Sequence, residues 1–188
     1  MANMMEALRL HGLDLQGVYR VPGRLSKIRE ITSLANSNAD LAFDLLTSDR
    51  GTFDGRAISS AIKQYLTMLP TSLLDAEVFA AAMTEDVGRS LRAPASLART
   101  LRRLLTALMS SIDCPGGKTV SDREREWRLA TLDFAMCHFR EVVGLQALNC
   151  MSPCALAVCL SPSLFGTVDN VEANSQKILC LSTRCWSS

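Results

Sequence analysis

One arginine stands apart by its setting. The run Gly17-Val18-Tyr19-Arg20-Val21-Pro22-Gly23 holds Arg20 between two glycines and a proline. Glycine permits positive φ and close backbone approach. Proline fixes its own φ and drives the residue before it towards an extended conformation. Arg20 is therefore expected on a constrained, exposed loop between two helical segments. A guanidinium is always charged, and its planar fork of donors matches phosphate oxygens. Such a cation on a stiff loop can reach into the phosphate site of another molecule. A plain interhelical turn needs the same glycines, so spacing alone leaves both readings open.

Other candidate chemistry is weaker. Gly116-Gly117-Lys118-Thr119 looks like the end of a nucleotide-binding loop. That pattern needs an earlier glycine, where residue 112 is isoleucine, and a preceding strand, where the sequence reads as helix. A nucleotide site is rejected. The seven cysteines form no CxxC pair. Cys150, Cys154 and Cys159 lie in an apolar helical context, where Cys150 and Cys154 can share a face, and neither His11 nor His138 adds a zinc-like spacing. They read as buried free thiols in a reducing compartment, and no metal site is expected. With no G-x-S-x-G and no paired-carboxylate spacing, the chain does not read as an enzyme in its own right. Asp14 is expected to cap or position the arginine loop.

A chain of 188 residues with 48% apolar and 21% charged residues suits one globular domain with its own core. A net charge of +1 argues for neither nucleic acid nor an anionic membrane surface. No apolar run reaches the ~18 residues of a membrane span, and the N-terminus lacks the pattern of a secretory signal. These features point to a cytoplasmic location without membrane insertion.

The elements that must position Arg20 read as helices. Met4, Met5 and Leu8 form a short stripe ending near His11-Gly12, with Gly12 as C-cap. After the arginine loop, Leu25, Ile28, Ile31 and Leu34 predict a second helix, with Lys27, Arg29 and Glu30 outward. Residues 36–56 are weakly periodic and are expected to be loop, with at most a helical turn near Leu41 to Leu46 and a turn at Ser48-Asp49-Arg50-Gly51. From Ala57 a helix puts Ile58, Ile62, Tyr65, Leu66 and Leu69 on one face, with Lys63 and Thr67 opposite, and ends at Leu69-Pro70. Leu73 to Met83 reads as a short helix. Leu97 to Ile112 gives the cleanest amphipathic stripe, with Arg99, Arg102 and Arg103 across from it. Ser121-Asp122-Arg123-Glu124 matches a capping box for a helix carrying Leu129, Leu132, Ala135, Met136, Phe139, Val142 and Val143. A last helix is expected over about Pro153 to Leu160, broken by Ser161-Pro162-Ser163. No segment alternates with period two. The fold class is all-α, a single-domain bundle of about seven to eight helices.

Three segments, in order, resemble the RhoGAP domain, the GTPase-activating module for Rho-family small GTPases. The first runs from Gly12 to Gly23 around Arg20. The second is Phe53-Asp54 followed by Ile62-Lys63-Gln64-Tyr65-Leu66-Thr67-Met68-Leu69-Pro70. The third is Asn149-Cys150-Met151-Ser152 with Leu156-Ala157-Val158-Cys159-Leu160-Ser161-Pro162-Ser163-Leu164-Phe165. The resemblance implies a RhoGAP-like domain over residues 1–165, clipped at its N-terminus, and a divergent or truncated segment over 166–188.

What the resemblance implies is activation in trans. Arg20 matches the family's catalytic arginine finger. Lys63 matches a lysine that stabilises the loop or contacts the GTPase. Lys63, Asn149, Thr67, Ala155 and Ser163 fall where the family binds its partner. That partner is a small GTPase of Rho, Rac or Cdc42 type, which supplies its own GTP and Mg²⁺, so no cofactor is expected in this chain. The chain departs from the family at Pro70-Thr71-Ser72, where Pro-Glu-Pro is usual, at Ser161-Pro162, where Gly-Pro is usual, and at two partner-facing positions. Thr67 stands where many members have arginine, and Ala155 where they usually have asparagine. The resemblance therefore also admits a catalytically weak or inactive module that binds GTPases or other signalling proteins.

Overall fold

A computed structural model of the protein describes residues 1–48, 53–78, 81, 94–115 and 118–165. Eight helices and no strand occur among them: α1 (Ala2–His11), α2 (Leu25–Ser37), α3 (Ala39–Ser48), α4 (Gly55–Thr67), α5 (Pro94–Asp113), α6 (Asp122–Gly144), α7 (Gln146–Asn149) and α8 (Pro153–Phe165). The all-α class read from the sequence holds. No described helix is long and apolar enough to cross a membrane.

Helix α4 is the axis of the site-bearing half. Asp54 caps its N-terminus, accepting from the Ala57 amide at 2.7 Å, a bond of the kind whose loss costs ~1 kcal/mol. Its buried residues Ala57, Ile58, Ala61, Ile62 and Leu66 meet α1, α2 and α8. Contact with α1 is backbone on backbone. A Cβ at residue 12 would lie 2.9 Å from the Gly55 Cα, so glycine at 12 is what lets the two helices touch. The C-cap role expected of Gly12 also holds, since its amide donates to the Leu8 carbonyl at 2.9 Å, although its φ of −162° is extended and not left-handed. Helix α6 is capped by Ser121, which accepts from the Glu124 amide at 3.3 Å, as the capping box predicts.

Several expectations are corrected. Residues 39–48 form a full ten-residue helix instead of a loop. The side chain of Asn38 accepts from the Leu41 amide at 3.1 Å, and Ala42 and Leu46 are buried where α3 packs on α1 and α2; tertiary packing outweighs a weak local signal. Helix α8 continues through Pro162 to Phe165. Ser161 donates to the Ala157 carbonyl at 2.8 Å, Leu164 and Phe165 are buried, and the Leu74 amide donates to the Leu164 carbonyl at 2.9 Å, so the last turn is held despite the missing proline donor. The described cysteines are not buried: Cys137, Cys150 and Cys154 are exposed, and Cys114 and Cys159 are intermediate. Asp14 is exposed and makes no hydrogen bond among the described residues. In α5 the apolar stripe is only partly covered, with Ala107 and Ile112 buried but Leu105 at 61% exposure. Of the helix expected from Leu73 to Met83, residues 76–78 and Ala81 are helical, and residues 79, 80, 82 and 83 lie outside the described residues, as do 49–51 of the expected turn and the tail from Gly166.

Arg128 is a buried arginine that the sequence reading passed over. Its Nη2 donates to the carbonyls of Ser72 and Leu73, both at 3.0 Å, and more weakly to that of Ser111 at 3.4 Å. One guanidinium thus ties α6 to the end of α5 and to the segment after α4. Burial lowers its pKa, with Glu124 and Asp75 opposing that shift.

Candidate functional site

The loop between α1 and α2 is built from tight turns. The Leu15 amide donates to the Gly12 carbonyl at 3.3 Å and Val18 to Leu15 at 3.0 Å. The Arg20 and Val21 amides both converge on the Gly17 carbonyl, at 2.9 and 2.8 Å. Gly17 has φ +75°, and a Cβ there would strike the Val21 side chain at 2.8 Å, so this position demands glycine. Gly23 serves differently. A Cβ at residue 23 would fall on the backbone of Ala57, so the loop lies directly against the first turn of α4.

Tyr19 is also left-handed, at φ 65°. For a non-glycine residue this costs roughly 1–2 kcal/mol, and the surroundings must over-determine it. They do. Lys63 Nζ donates to the Tyr19 carbonyl at 2.6 Å, and the Tyr19 amide donates to Ser59 Oγ at 3.4 Å. A hydrogen bond from a charged donor contributes about 1.5–3 kcal/mol, enough to offset the strain. Ser60 Oγ accepts from the Gly23 amide at 3.1 Å. Helix α4 therefore grips the loop through three side chains on two adjacent turns.

The other side of the loop is held by Asn149, the last residue of α7. Its Nδ2 donates to the Leu13 carbonyl at 2.8 Å and the Val142 carbonyl at 2.7 Å, while its Oδ1 accepts from the Met151 amide at 2.8 Å. Its own carbonyl accepts from the Gly17 amide at 2.7 Å. Asn149 is fully buried.

Arg20 alone in this network points outward. Tyr19 is completely buried and Arg20 is exposed, so consecutive residues face opposite ways. The guanidinium folds over the loop, passing 3.6 Å from where a Gly17 Cβ would be. It makes no hydrogen bond or ion pair among the described residues. Cys159 on α8 lies within electrostatic reach of Lys63 and Arg20. Burial raises its thiol pKa, and the two cations pull it down. Burial also lowers the Lys63 pKa.

The sequence-derived site residues thus separate into two groups. Arg20, Thr67 and, in part, Ala155 reach the surface. Thr67 Oγ1 donates to the Lys63 carbonyl at 2.9 Å, within its own helix. Lys63 is half-buried and Asn149 fully so, and both hydrogen-bond to the loop, the loop-stabilising alternative in the case of Lys63. Ser163, 6% exposed, also faces inward. The reading missed Ser59, Ser60 and His138. A signal for His138 existed: it lies three residues from Ala135 and four from Val142, on the apolar face of α6.

Comparison with known proteins agrees with this architecture. The RhoGAP domain family model matches residues 1–113. The chain belongs to the RhoGAP family. It is 30% identical to Rho GTPase-activating protein 21-A of Xenopus laevis over 166 residues, 85% of this chain, and 27% identical to unconventional myosin-IXb of Rattus norvegicus over 183 residues, 97% of this chain. It spans only 7% and 8% of their lengths. Among solved structures, it shares its fold with human Rho GTPase activating protein 15 (TM-score 0.65, 19% identity, covering 98% of this chain and 79% of the other). It shares it also with the BH domain from GRAF, the GTPase regulator associated with focal adhesion kinase (TM-score 0.64, 22% identity, covering 95% and 85%). GTPase activation is the function of the family.

Proposed function

We propose that this chain stimulates GTP hydrolysis by a Rho-family small GTPase of Rho, Rac or Cdc42 type, with Arg20 inserted as an arginine finger. The observation that carries the reading is the contrast at residues 19 and 20: an exposed guanidinium without an internal partner, on a loop whose backbone is tied to α4 and α7. Phosphoryl transfer to water spreads charge over the γ-phosphate oxygens, and an arginine supplied in trans contributes ~10³–10⁵ in rate. Holding the loop before the partner arrives lowers the entropy cost of placing that arginine. The GTPase brings nucleotide and Mg²⁺; Lys63 and Asn149 act through the loop. Action on such a partner places the chain in the cytoplasm.

Thr67 and Ala155 favour a second reading, a module that binds without activating. The Thr67 hydroxyl is engaged by its own helix, and Ala155 offers no polar group. Single-turnover hydrolysis by Rho, Rac and Cdc42, with the wild-type chain and with Arg20→Ala, separates the two. Stimulation that disappears in the variant supports the finger. Binding without stimulation by the wild type supports the second reading.

A further inference from the structure

Beneath the arginine loop lies a buried polar pair. Tyr19 Oη and His138 Nε2 are 2.8 Å apart, and the two residues are 0% and 1% exposed. Their rings meet edge to face at 5.9 Å between centroids, and Phe139 packs edge-on to Tyr19 at 5.7 Å. His138 Nδ1 has no hydrogen-bond partner. The arrangement carries the desolvation cost of a hydroxyl and an imidazole and leaves one ring nitrogen unmatched. A phenylalanine over a leucine would fill the same space, since replacing both partners of a buried hydrogen bond by apolar groups is close to neutral for stability.

We propose that Tyr19 and His138 are positioning residues that set the direction of Arg20, a role that rests on the finger reading above. The backbone anchors of Tyr19, from Lys63 and Ser59, sit close together at its carbonyl and amide. The Arg20 and Val21 amides turn back on the Gly17 carbonyl within the loop itself, so at Tyr19 the backbone is tied to α4 alone. The phenol oxygen lies at the far end of a rigid ring, and its bond to His138 ties the same residue to a second helix, α6. Since Tyr19 and Arg20 share a peptide plane, fixing the ring fixes where the arginine leaves the surface. Buried polar pairs of this kind specify geometry more than they add stability.

The test is the double variant Tyr19→Phe/His138→Leu, which removes both polar partners and leaves none orphaned. Tm, affinity for the GTPase loaded with a non-hydrolysable GTP analogue, stimulated single-turnover rate and amide exchange at Arg20 and Val21 are measured. The expected result is a Tm near wild type, affinity within about twofold, a rate roughly tenfold lower and faster exchange at both amides, since small misplacements of a reacting group cost up to ~100-fold. A wild-type rate in the double variant, or unchanged exchange, overturns the proposal. If the wild-type chain stimulates no GTPase, the finger reading fails separately. The exchange then decides alone: unchanged protection overturns the pin, and faster exchange at an unchanged Tm supports it. Should the double variant not fold, Tyr19→Phe alone, which keeps the ring, is read by the same exchange criterion.

Discussion

Two loops in this molecule carry a single cation close to a pair of glycines, and they are held in opposite ways. The loop bearing Arg20 is tied to residues far along the chain: Lys63 is 44 positions from Tyr19, and Asn149 is 136 from Leu13. Among the described residues, the loop bearing Lys118 is tied to its near neighbours in the chain. Lys118 donates through its amide to the Pro115 carbonyl at 3.3 Å, Val120 to that of Asp113 at 3.4 Å, and Arg125 pairs with Asp113 twelve positions away. Both cations are exposed. What separates them is the protein's investment in holding the backbone still. Composition of a loop therefore says little about its chemistry until its anchors are known.

That contrast can be broken at graded depths. Arg20→Ala leaves every anchor intact, and stimulated GTP hydrolysis is expected to fall by ~10³-fold or more, roughly 4 kcal/mol of barrier, with no change in Tm. Asn149→Ala strips hydrogen bonds from two buried carbonyls and one buried amide. The Val142 carbonyl keeps the Leu145 amide at 3.3 Å. At about 1–3 kcal/mol for each of the other two groups, partly relieved by relaxation, urea unfolding should register a loss of roughly 2–4 kcal/mol.

Acid should reach the loop through His138. Burial lowers its pKa from 6.5 to about 4, while the charges of Glu141 and Arg9 act in opposite senses. The unfolded chain binds a proton here at higher pH than the folded chain does. This contribution to stability is therefore complete above pH ~6.5 and declines as pH falls to about 4, by about 3 kcal/mol in all. Thermal melts across that window should show the decline, and the Tyr19→Phe/His138→Leu variant should flatten it. Lys118→Ala marks the other end of the scale. Rate and Tm should both stay within error, and a tenfold loss of stimulation would erase the distinction between the loops.

The sequence made the outline of the site legible because glycines and helix periodicity are local signals. Gly17 and Gly23 announce a constrained backbone, and Ile58, Ile62 and Leu66 announce the face of α4. The anchors were not legible in composition or periodicity, since each joins residues brought together only by packing; the family resemblance alone pointed to Lys63 as one that steadies the loop. Lys63 lies opposite the apolar stripe and looks like a solvent lysine; its partner is a carbonyl on another element. Asn149 looks like a surface amide, and only the burial of α7 makes it a strut. Helix α3 was missed for the same reason: its stabilising face exists only once α1 and α2 are in place. Pro162 misled in the opposite direction, since a strong local breaker was overruled by the burial of Leu164 and Phe165.

Gly12 and Gly23 both rest on the backbone of the first turn of α4, one against Gly55 and the other against Ala57. The two ends of the arginine loop therefore share a single footing, like both feet of an arch on one stone. Between them, Leu13, Val18 and Tyr19 are buried and Gly17 is tied to α7, so only the exposed stretch from Arg20 to Pro22 has room to lengthen outward. The height of the arch is set in those three residues, and length added on the Gly12 side would pull buried side chains from the bundle.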